Sequence, residues 1–303
     1  MSYRWKLRES PAQGLQRIFR EEIHSALKEC EHPAPERGEA VHETRKHLKK
    51  LRAALDLVAR EVGKRRFARE DRCVRQIARL VSDLRDAHVR LQTLIELRAD
   101  DAERFAHLEN LLSIERESFS AAFDGWQRQA IPKLEALSDR LAQWPLDDLT
   151  WKNVCAAVTK SYRRGRNALD RALKKPSAKC MHAWRKEVKQ LWYQLRLLQP
   201  LNRMIFEKIA ADARALGELL GLDHDYAFLL ERFDEKQPEP DLQKERIDLE
   251  KLIRKKGRRL QRDATELGRR FYAEPPKAFA KRISIFIDDW VSRKKKVAEP
   301  HRS

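Results

Sequence analysis

Two stretches of the sequence carry the same row of nitrogen-bearing side chains. Residues 41–57 read VHETRKHLKKLRAALDL and residues 181–197 read MHAWRKEVKQLWYQLRL, and at an offset of 140 they align without a gap. His42, Arg45, Lys46 and Lys49 in the first meet His182, Arg185, Lys186 and Lys189 in the second. Leu51, Leu55 and Leu57 meet Leu191, Leu195 and Leu197. Arginine offers a planar fork to two oxygens, and lysine offers a mobile point charge. Neutral histidine donates one N–H and protonated histidine two. Donors of these kinds in a row hold an anion with many oxygens.

On a helix turning about 100° per residue, His42, Arg45, Lys46 and Lys49 fall within roughly 100° of arc. Leu48, Leu51, Leu55 and Val58 take the opposite side, with Arg52 on the border. His42 to Arg52 covers about 15 Å of helix. Cations at that density repel one another, and folding does not call for them. Glu43 lies outside the row, as does Glu187, which stands where the first copy has His47. A solvated charged face would show mixed signs and would have no reason to recur in both halves. A second element recurs at nearly the same spacing: Leu84-Arg85-Asp86-Ala87 resembles Leu222 to Ala227, which places Asp86 against Asp225. Other rows are less specific. Arg17, Arg20, His24 and Lys28 share one face of the first helical stretch, Arg75, Arg79 and Arg85 lead to Asp86, and Lys160, Arg163, Arg164 and Arg166 crowd the stretch that opens the second half.

The elements that must position these residues are helical. The chain has 303 residues, with only 9 Gly and 12 Pro gathered in clusters, whereas strands would need frequent turns. Its long stretches rich in Ala, Leu, Glu, Lys, Arg and Gln favour helix. The fold class is all-α. Apolar spacing predicts helices over about 12–29, 41–62, 64–98 and 101–142, the last broken near Pro132, then about 151–174, 178–199, 202–234, 241–272 and 277–295. The repeat divides the chain into an N-terminal half, 1–143, a C-terminal half, 144–296, and a disordered tail, 297–303. A period of 140 residues is too long for a solenoid, so two antiparallel helical bundles related by a pseudo-twofold axis are expected.

Lys plus Arg exceed Asp plus Glu by 65 to 47, a net charge of +18 that points to an acidic partner: nucleic acid, an anionic membrane or polyphosphate. Single-strand binding would also want aromatics facing the groove. Tyr193 lies near the second row, whereas Trp184 and Trp192 read as core. No run of about 18 apolar residues occurs, so no membrane insertion is expected. Met1 to Lys6 lack the apolar run of a signal peptide, and Cys30, Cys73, Cys155 and Cys180 form no metal-binding pair, so the expected location is the cytoplasm. There is no Gly-x-x-x-x-Gly-Lys-Ser/Thr loop and no cluster of carboxylates for a metal cage. Asp223, His224 and Asp225 are adjacent on a helix and point in different directions. The reading is of a binding protein, with no catalytic residue, no metal and no cofactor.

The two His-x-x-Arg-Lys-x-x-Lys helices, the Arg85-Asp86 element and the run Tyr162-Arg163-Arg164-Gly165-Arg166 together resemble the CHAD family, the conserved histidine α-helical domain, over about residues 10–290. The resemblance implies one domain with a basic central groove or pore that binds inorganic polyphosphate and can associate with polyphosphate granules. The residues it leads us to expect at the polymer are Arg20, His42, Arg45, Lys46, Lys49, Arg52, Arg163, Arg166, His182, Arg185, Lys186 and Lys189, with Asp86 and Asp225 orienting neighbouring cations. Two positions depart from the family's pattern: Trp192 stands where an arginine is usual, and Asp223-His224-Asp225 where Arg-Asp is usual. The second row is therefore expected to be weaker. Some family members carry a fused triphosphate-tunnel domain. This chain has no Glu-x-Glu-x-Lys motif of that domain, so its hydrolytic activity is not carried over. Nucleic acid is the expected competitor for the same surface.

Overall fold

A helix starts most readily where a side chain can take up the amide hydrogens that its first turn leaves bare. Ser10 and Gln13 cap each other, with the Ser10 amide donating to Gln13 Oε1 at 2.9 Å and the Gln13 amide to Ser10 Oγ at 3.2 Å. Thr150 and Asn153 do the same, the Thr150 amide donating to Asn153 Oδ1 at 3.0 Å and the Asn153 amide to Thr150 Oγ1 at 3.3 Å. These two reciprocal caps lie at the offset of the repeated motif. They open α1 (Pro11–Glu31) and α7 (Trp151–Lys174). The structure, a computed structural model, describes residues 3–31, 37–80, 82–99, 101, 103–120, 123–233 and 240–298.

Between those two helices lie α2 (Arg37–Leu57), α3 (Lys64–Arg79), α4 (Ser82–Arg98), α5 (Ala106–Ser120) and α6 (Phe123–Ala142). After α7 come α8 (Ala178–Leu197), a short 3-10 turn at Gln199–Leu201, α9 (Arg203–Glu231), α10 (Pro240–Phe271) and α11 (Pro276–Ala298). Ser177 and Asn202 cap α8 and α9, accepting from the amides of Cys180 and Ile205. Among the described residues there is no strand, and no helix is long and apolar enough to cross a membrane. The all-α reading holds.

Two boundaries differ from the apolar spacing. The stretch expected as one helix over 64–98 is two, because the Ser82 hydroxyl donates to the Arg79 carbonyl at 2.9 Å and competes with the helical ladder. The break expected at Pro132 is absent: Pro132 lies inside α6. Trp126, Ala130, Leu134, Leu137 and Leu141 are all buried along that helix, which packs on α1, and their packing carries the helix through the missing amide. The expected tail, 297–303, falls beyond residue 298 outside the described residues, apart from the end of α11.

Helix pairs recur in order. α1 packs on α2 and α6, and α7 packs on α8 and α11. α4 packs on α5, and α9 on α10. Across residue 143, α2 meets α8, α4 meets α9 and α5 meets α10. The larger apolar cluster runs from Trp5, Ile18 and Leu55 to Trp184, Leu195 and Ile283, and the smaller from Leu94 and Leu108 to Leu229, Leu249 and Ile253. Both draw on residues from each side of residue 143. Polar ties also cross it. Arg164 donates to both Asp56 oxygens at 3.2 and 2.9 Å, and the buried Gln194 amide donates to the Ala53 carbonyl at 3.2 Å.

Trp184 is fully buried, and Gly268 of α10 lies against the edge of its ring. A β-carbon at Gly268 would overlap Trp184 Cζ2 and Cη2. Gly-to-Ala in a helix ordinarily stabilises by about 1 kcal/mol. Gly268→Ala is expected to do the reverse, lowering unfolding free energy by about 1–3 kcal/mol through overpacking. Urea denaturation measures it, and a stabilised variant would contradict the close approach of α10 to α8.

Candidate functional site

The row predicted on α2 divides as its spacing requires. Leu48, Leu51, Leu55 and Val58 are buried in the larger cluster, and Val188, Leu191 and Leu195 of α8 are buried with them. Their helices pack together, and the cations on the other sides of α2 and α8 come within electrostatic reach of one another.

Five cations make up this group: Arg45 and Lys49 of α2, Arg85 of α4, and Arg185 and Lys189 of α8. Each has a pKa below its ordinary value, with burial the largest cause in every case. Lys49 shows the effect most. Burial, then the charges of Arg45, Arg185, Arg85 and Lys189, bring its amine from 10.5 down to about 7. Arg45 donates one bond, to the Ala78 carbonyl at 2.9 Å. Among the described residues, no carboxylate lies within ion-pairing distance of any of the five, and Arg185 Nε is buried without a hydrogen-bond partner.

Asp86 and Asp225 stand nearby. Burial raises the pKa of both; Arg45 and Arg90 oppose this at Asp86, and Arg185, Arg85 and Lys49 oppose it at Asp225. Glu218 is also felt by Lys189 but is itself paired with Arg214, so Asp86 and Asp225 stand against five cations and leave the group positive. On α9, Gly217, Gly221 and Asp225 are spaced four apart. A β-carbon at Gly217 would stand 3.0 Å from Lys189 Cε, and one at Gly221 would stand 3.8 Å from Arg185 Nε. The absent side chains leave room for those two cations.

Histidines edge the group. His182 and His224 pack with ring centroids 4.2 Å apart, and His182 Nδ1 is buried without a partner. Burial, then Lys186 and Arg185, holds His182 at a pKa of about 4. Burial, then Arg185, His182 and Lys186, holds His224 at about 4. His42, on α2, is lowered by burial and then by Arg85. His47 instead meets Glu22 at 2.5 Å.

The remaining expected residues are placed elsewhere or are already engaged. Lys46 pairs with Glu43 at 2.8 Å and Arg52 with Asp71 at 2.8 Å. Arg166 donates to the Glu274 carbonyl at 3.1 Å. Arg163 is exposed and lines a recess between α7 and α11 with Cys155 and Ile287. Arg20 is exposed on α1, and Lys186 is exposed beside the histidine pair. Asp223 accepts from Gln261 at 2.8 Å, so Asp223, His224 and Asp225 face Gln261, His182 and the cations respectively. Among the described residues, no cluster of three metal-ligating side chains occurs. Tyr193 is buried edge-on against Tyr3, and Trp192 is half-buried with Lys189 over its ring at 4.9 Å.

Three residues at the site, one cation of the group and two glycines beside it, were not among those expected. Arg85 was read only as leading to Asp86, and its place depends on α4 packing against α2. Gly217 and Gly221 carried a signal that went unused: two glycines four apart in an otherwise strong helix mark a close approach.

Residues 17–234 match the family model of the CHAD domain. This chain belongs to the CHAD family. No curated protein matches it. The CHAD match takes in α2, α4, α8 and α9, the helices that carry the whole cation group, and ends before α10.

Because the unfolded Lys49 amine titrates near 10.5 and the folded one near 7, the unfolded CHAD chain binds more protons between those values. The folded state therefore loses stability as pH falls from about 10.5 to 7, and the full penalty is present below that range. Lys49→Met is expected to raise the melting temperature at pH 7 by about 2–4 °C, and the gain should shrink towards pH 10. A scan of melting temperature against pH checks this, and a variant less stable than the parent at pH 7 would show that the amine is not repelled.

Proposed function

We propose that this CHAD protein binds inorganic polyphosphate along the cations of α2, α4 and α8. The observation that carries this reading is the group of Arg45, Lys49, Arg85, Arg185 and Lys189 held together without an ion-paired carboxylate. Folding does not reward such a group, and a polymer carrying about one negative charge per phosphate relieves it. Membership of the CHAD family, which is associated with polyphosphate binding, supports the same ligand.

The proposed architecture is two copies of one helical unit, 1–143 and 144–296, around a pseudo-twofold axis, together forming one domain. Three features support it: the reciprocal caps at Ser10 and Thr150, the recurring order of helix pairs, and the meeting of α2 with α8, α4 with α9 and α5 with α10. A residue on the axis helix of one copy then meets its counterpart in the other, as in a symmetric dimer. The cations line a groove in this proposal. Lys49 is exposed, yet burial is the chief cause lowering its pKa, as for an amine that water reaches but protein surrounds.

Binding draws on many weak contacts. One exposed ion pair contributes about 0–1 kcal/mol, but contacts on one connected polymer combine because the entropy of association is lost mainly once. Arg185 Nε, buried without a partner, is a donor a phosphate oxygen would satisfy, and His182 Nδ1 is a second in the tautomer that carries its proton there. The protein acts in this reading without turnover, and polyphosphate granules are its proposed place in the cell. Nucleic acid is the alternative ligand. Tyr193 is buried, and the half-buried Trp192 ring is covered by Lys189 and Arg196, so neither is open for bases to stack on, which favours a ligand without them.

Arg45→Glu with Lys49→Glu is expected to weaken polyphosphate binding by at least about tenfold with helicity unchanged, and affinity should fall steeply with salt. Titration followed by fluorescence, with circular dichroism alongside, tests it; undiminished affinity would remove both residues from the site. DNA or RNA of equal charge that outcompetes polyphosphate would overturn the choice of ligand, and steady phosphate release with magnesium or manganese would overturn the absence of turnover. Binding should also draw in protons. A neighbouring polyanion raises the pKa of Lys49 from about 7, so uptake of up to about one proton per polymer is expected near pH 8. Calorimetry in two buffers of different ionisation heat measures it, and zero uptake would place the polymer away from Lys49.

A further inference from the structure

Residues 251–262 of α10 read KLIRKKGRRLQR, with seven cations and no acid in twelve positions. On a helix, side chains four apart are neighbours. Lys251 faces Lys255, Arg254 faces Arg258, Lys255 faces Arg259 and Arg258 faces Arg262, so four like-charge pairs stack along one helix. Carboxylates relieve only the ends. Arg254 meets Glu250 at 2.5 Å, Arg259 and Arg262 approach Asp263 at 3.8 and 3.7 Å, and Lys251 meets Asp248 at 3.3 Å. Among the described residues, Lys255, Lys256 and Arg258 have no ion pair, and all three are exposed. The inward side of the segment is apolar, with Ile253 and Gly257 buried, so its cations are thrown onto one outer surface.

That surface has a recess. Arg254 and Arg258 stand over a cavity of about 360 Å³ together with Tyr226, Gln261 and Asp223. Asp223 is buried and accepts a hydrogen bond from Gln261, and burial raises its pKa. Asp223 is two residues from Asp225. The α9 face bearing Gly217, Gly221 and Asp225 looks onto the cations of α8, and the face bearing Asp223 looks onto α10. One helix, about 10–12 Å across, separates the two basic regions.

We propose that the middle of α10 is a second polyanion-binding strip, which takes the continuation of a polyphosphate chain whose first part lies between α2 and α8. The inference rests on the central binding site proposed above. The segment lies beyond the part of the chain that matches the CHAD model. Residues 251–262 themselves contain no aromatic residue, and Tyr226 in the recess is the one ring beside their cations, too few to stack successive bases. A flexible chain of phosphates can cross a helix width and gain the second set of cations in one association event. Chains too short to cross gain nothing from α10. The strip therefore confers a preference for long polymers.

The test compares polyphosphate of about ten phosphates with polyphosphate of about a hundred, at one salt concentration, on the full chain. Lys255→Gln with Arg258→Gln is expected to lower affinity for the long chain by at least about fivefold and to leave the short chain within about twofold. A second variant, Lys277→Gln with Lys281→Gln on α11, removes the same net charge from exposed positions elsewhere and should change neither. Equal loss in the two variants would reduce the effect to net charge and overturn the strip, as would unchanged long-chain binding in the α10 variant. Duplex DNA that binds the parent, loses binding in the α10 variant and leaves polyphosphate binding intact would overturn polyphosphate as its ligand. If the parent fails to bind the short chain, the central site is refuted. The strip then stands only if long-chain affinity still depends on Lys255 and Arg258.

Discussion

The packing of α2 on α8, fastened where the buried Gln194 amide donates to the Ala53 carbonyl, is the constraint from which the rest follows. Once those two helices bury their leucines, Arg45, Lys49, Arg185 and Lys189 have no freedom to separate. Two unit charges about 4 Å apart repel by about 1 kcal/mol in water and about 4 kcal/mol at an effective dielectric near 20. A buried leucine contributes about 1.5–3 kcal/mol, and α2 and α8 bury seven leucines, Leu48, Leu51, Leu55 and Leu57 on one and Leu191, Leu195 and Leu197 on the other, along with Val188 and Trp184. The dry faces outweigh the repulsion and hold the cations in place. Rigidity of that kind would suit the proposed site: donors already gathered before a ligand arrives lose less ordering entropy on binding.

The two halves do not present the same surface. Where the first has Arg85 next to Asp86, the second has His224 next to Asp225. A permanent charge in the first half thus has as its alignment counterpart a histidine that is neutral at neutral pH. Gly217 stands one residue from the alignment partner of Ala78, and the two handle the row differently. Ala78 gives Arg45 a carbonyl at 2.9 Å, whereas Gly217 yields space to Lys189. Trp192, in place of the arginine usual in the family, lies under Lys189 and Arg196 and turns that end of the second row towards cation–π contact.

Much of this was legible in the sequence because it depends on local periodicity. The dry and basic sides of α2 and α8, the helical class and most helix limits follow from spacing alone. What escaped is non-local. Pro132 stays inside α6 because five apolar side chains pack against α1, and no window around Pro132 contains that partner. Arg52 looked like a border member of the row, and Arg166 like a member of its neighbour. Their anchors, Asp71 at 19 residues' distance and the Glu274 carbonyl at 108, become apparent only when the helices are assembled. Arg85 joined the group for the same reason in reverse: nothing near it in sequence reveals that α4 leans on α2. The division of 64–98 was written locally, in Ser82-Asp83, but the apolar rhythm on either side concealed it.

Charged side chains elsewhere in the same molecule show what a structural role looks like. Arg17 has its pKa raised, first by Glu9; Arg140 is raised, first by Glu70; and Arg164 is raised despite burial, by Asp56 and then Glu187. In each, a fixed carboxylate satisfies the guanidinium, and the charge contributes to the fold. Arg45, Arg85, Arg185, Lys49 and Lys189 shift the other way, all of them downward. Had those five been there to tie helices together, acids at hydrogen-bond range would accompany them, as they accompany the other three. Asp86 and Asp225 are close enough to be felt and too few to neutralise the group. A fold that supplies partners to its structural arginines and withholds them from one gathered set leaves a charge that the proposed polyanion, reaching every member at once, would meet.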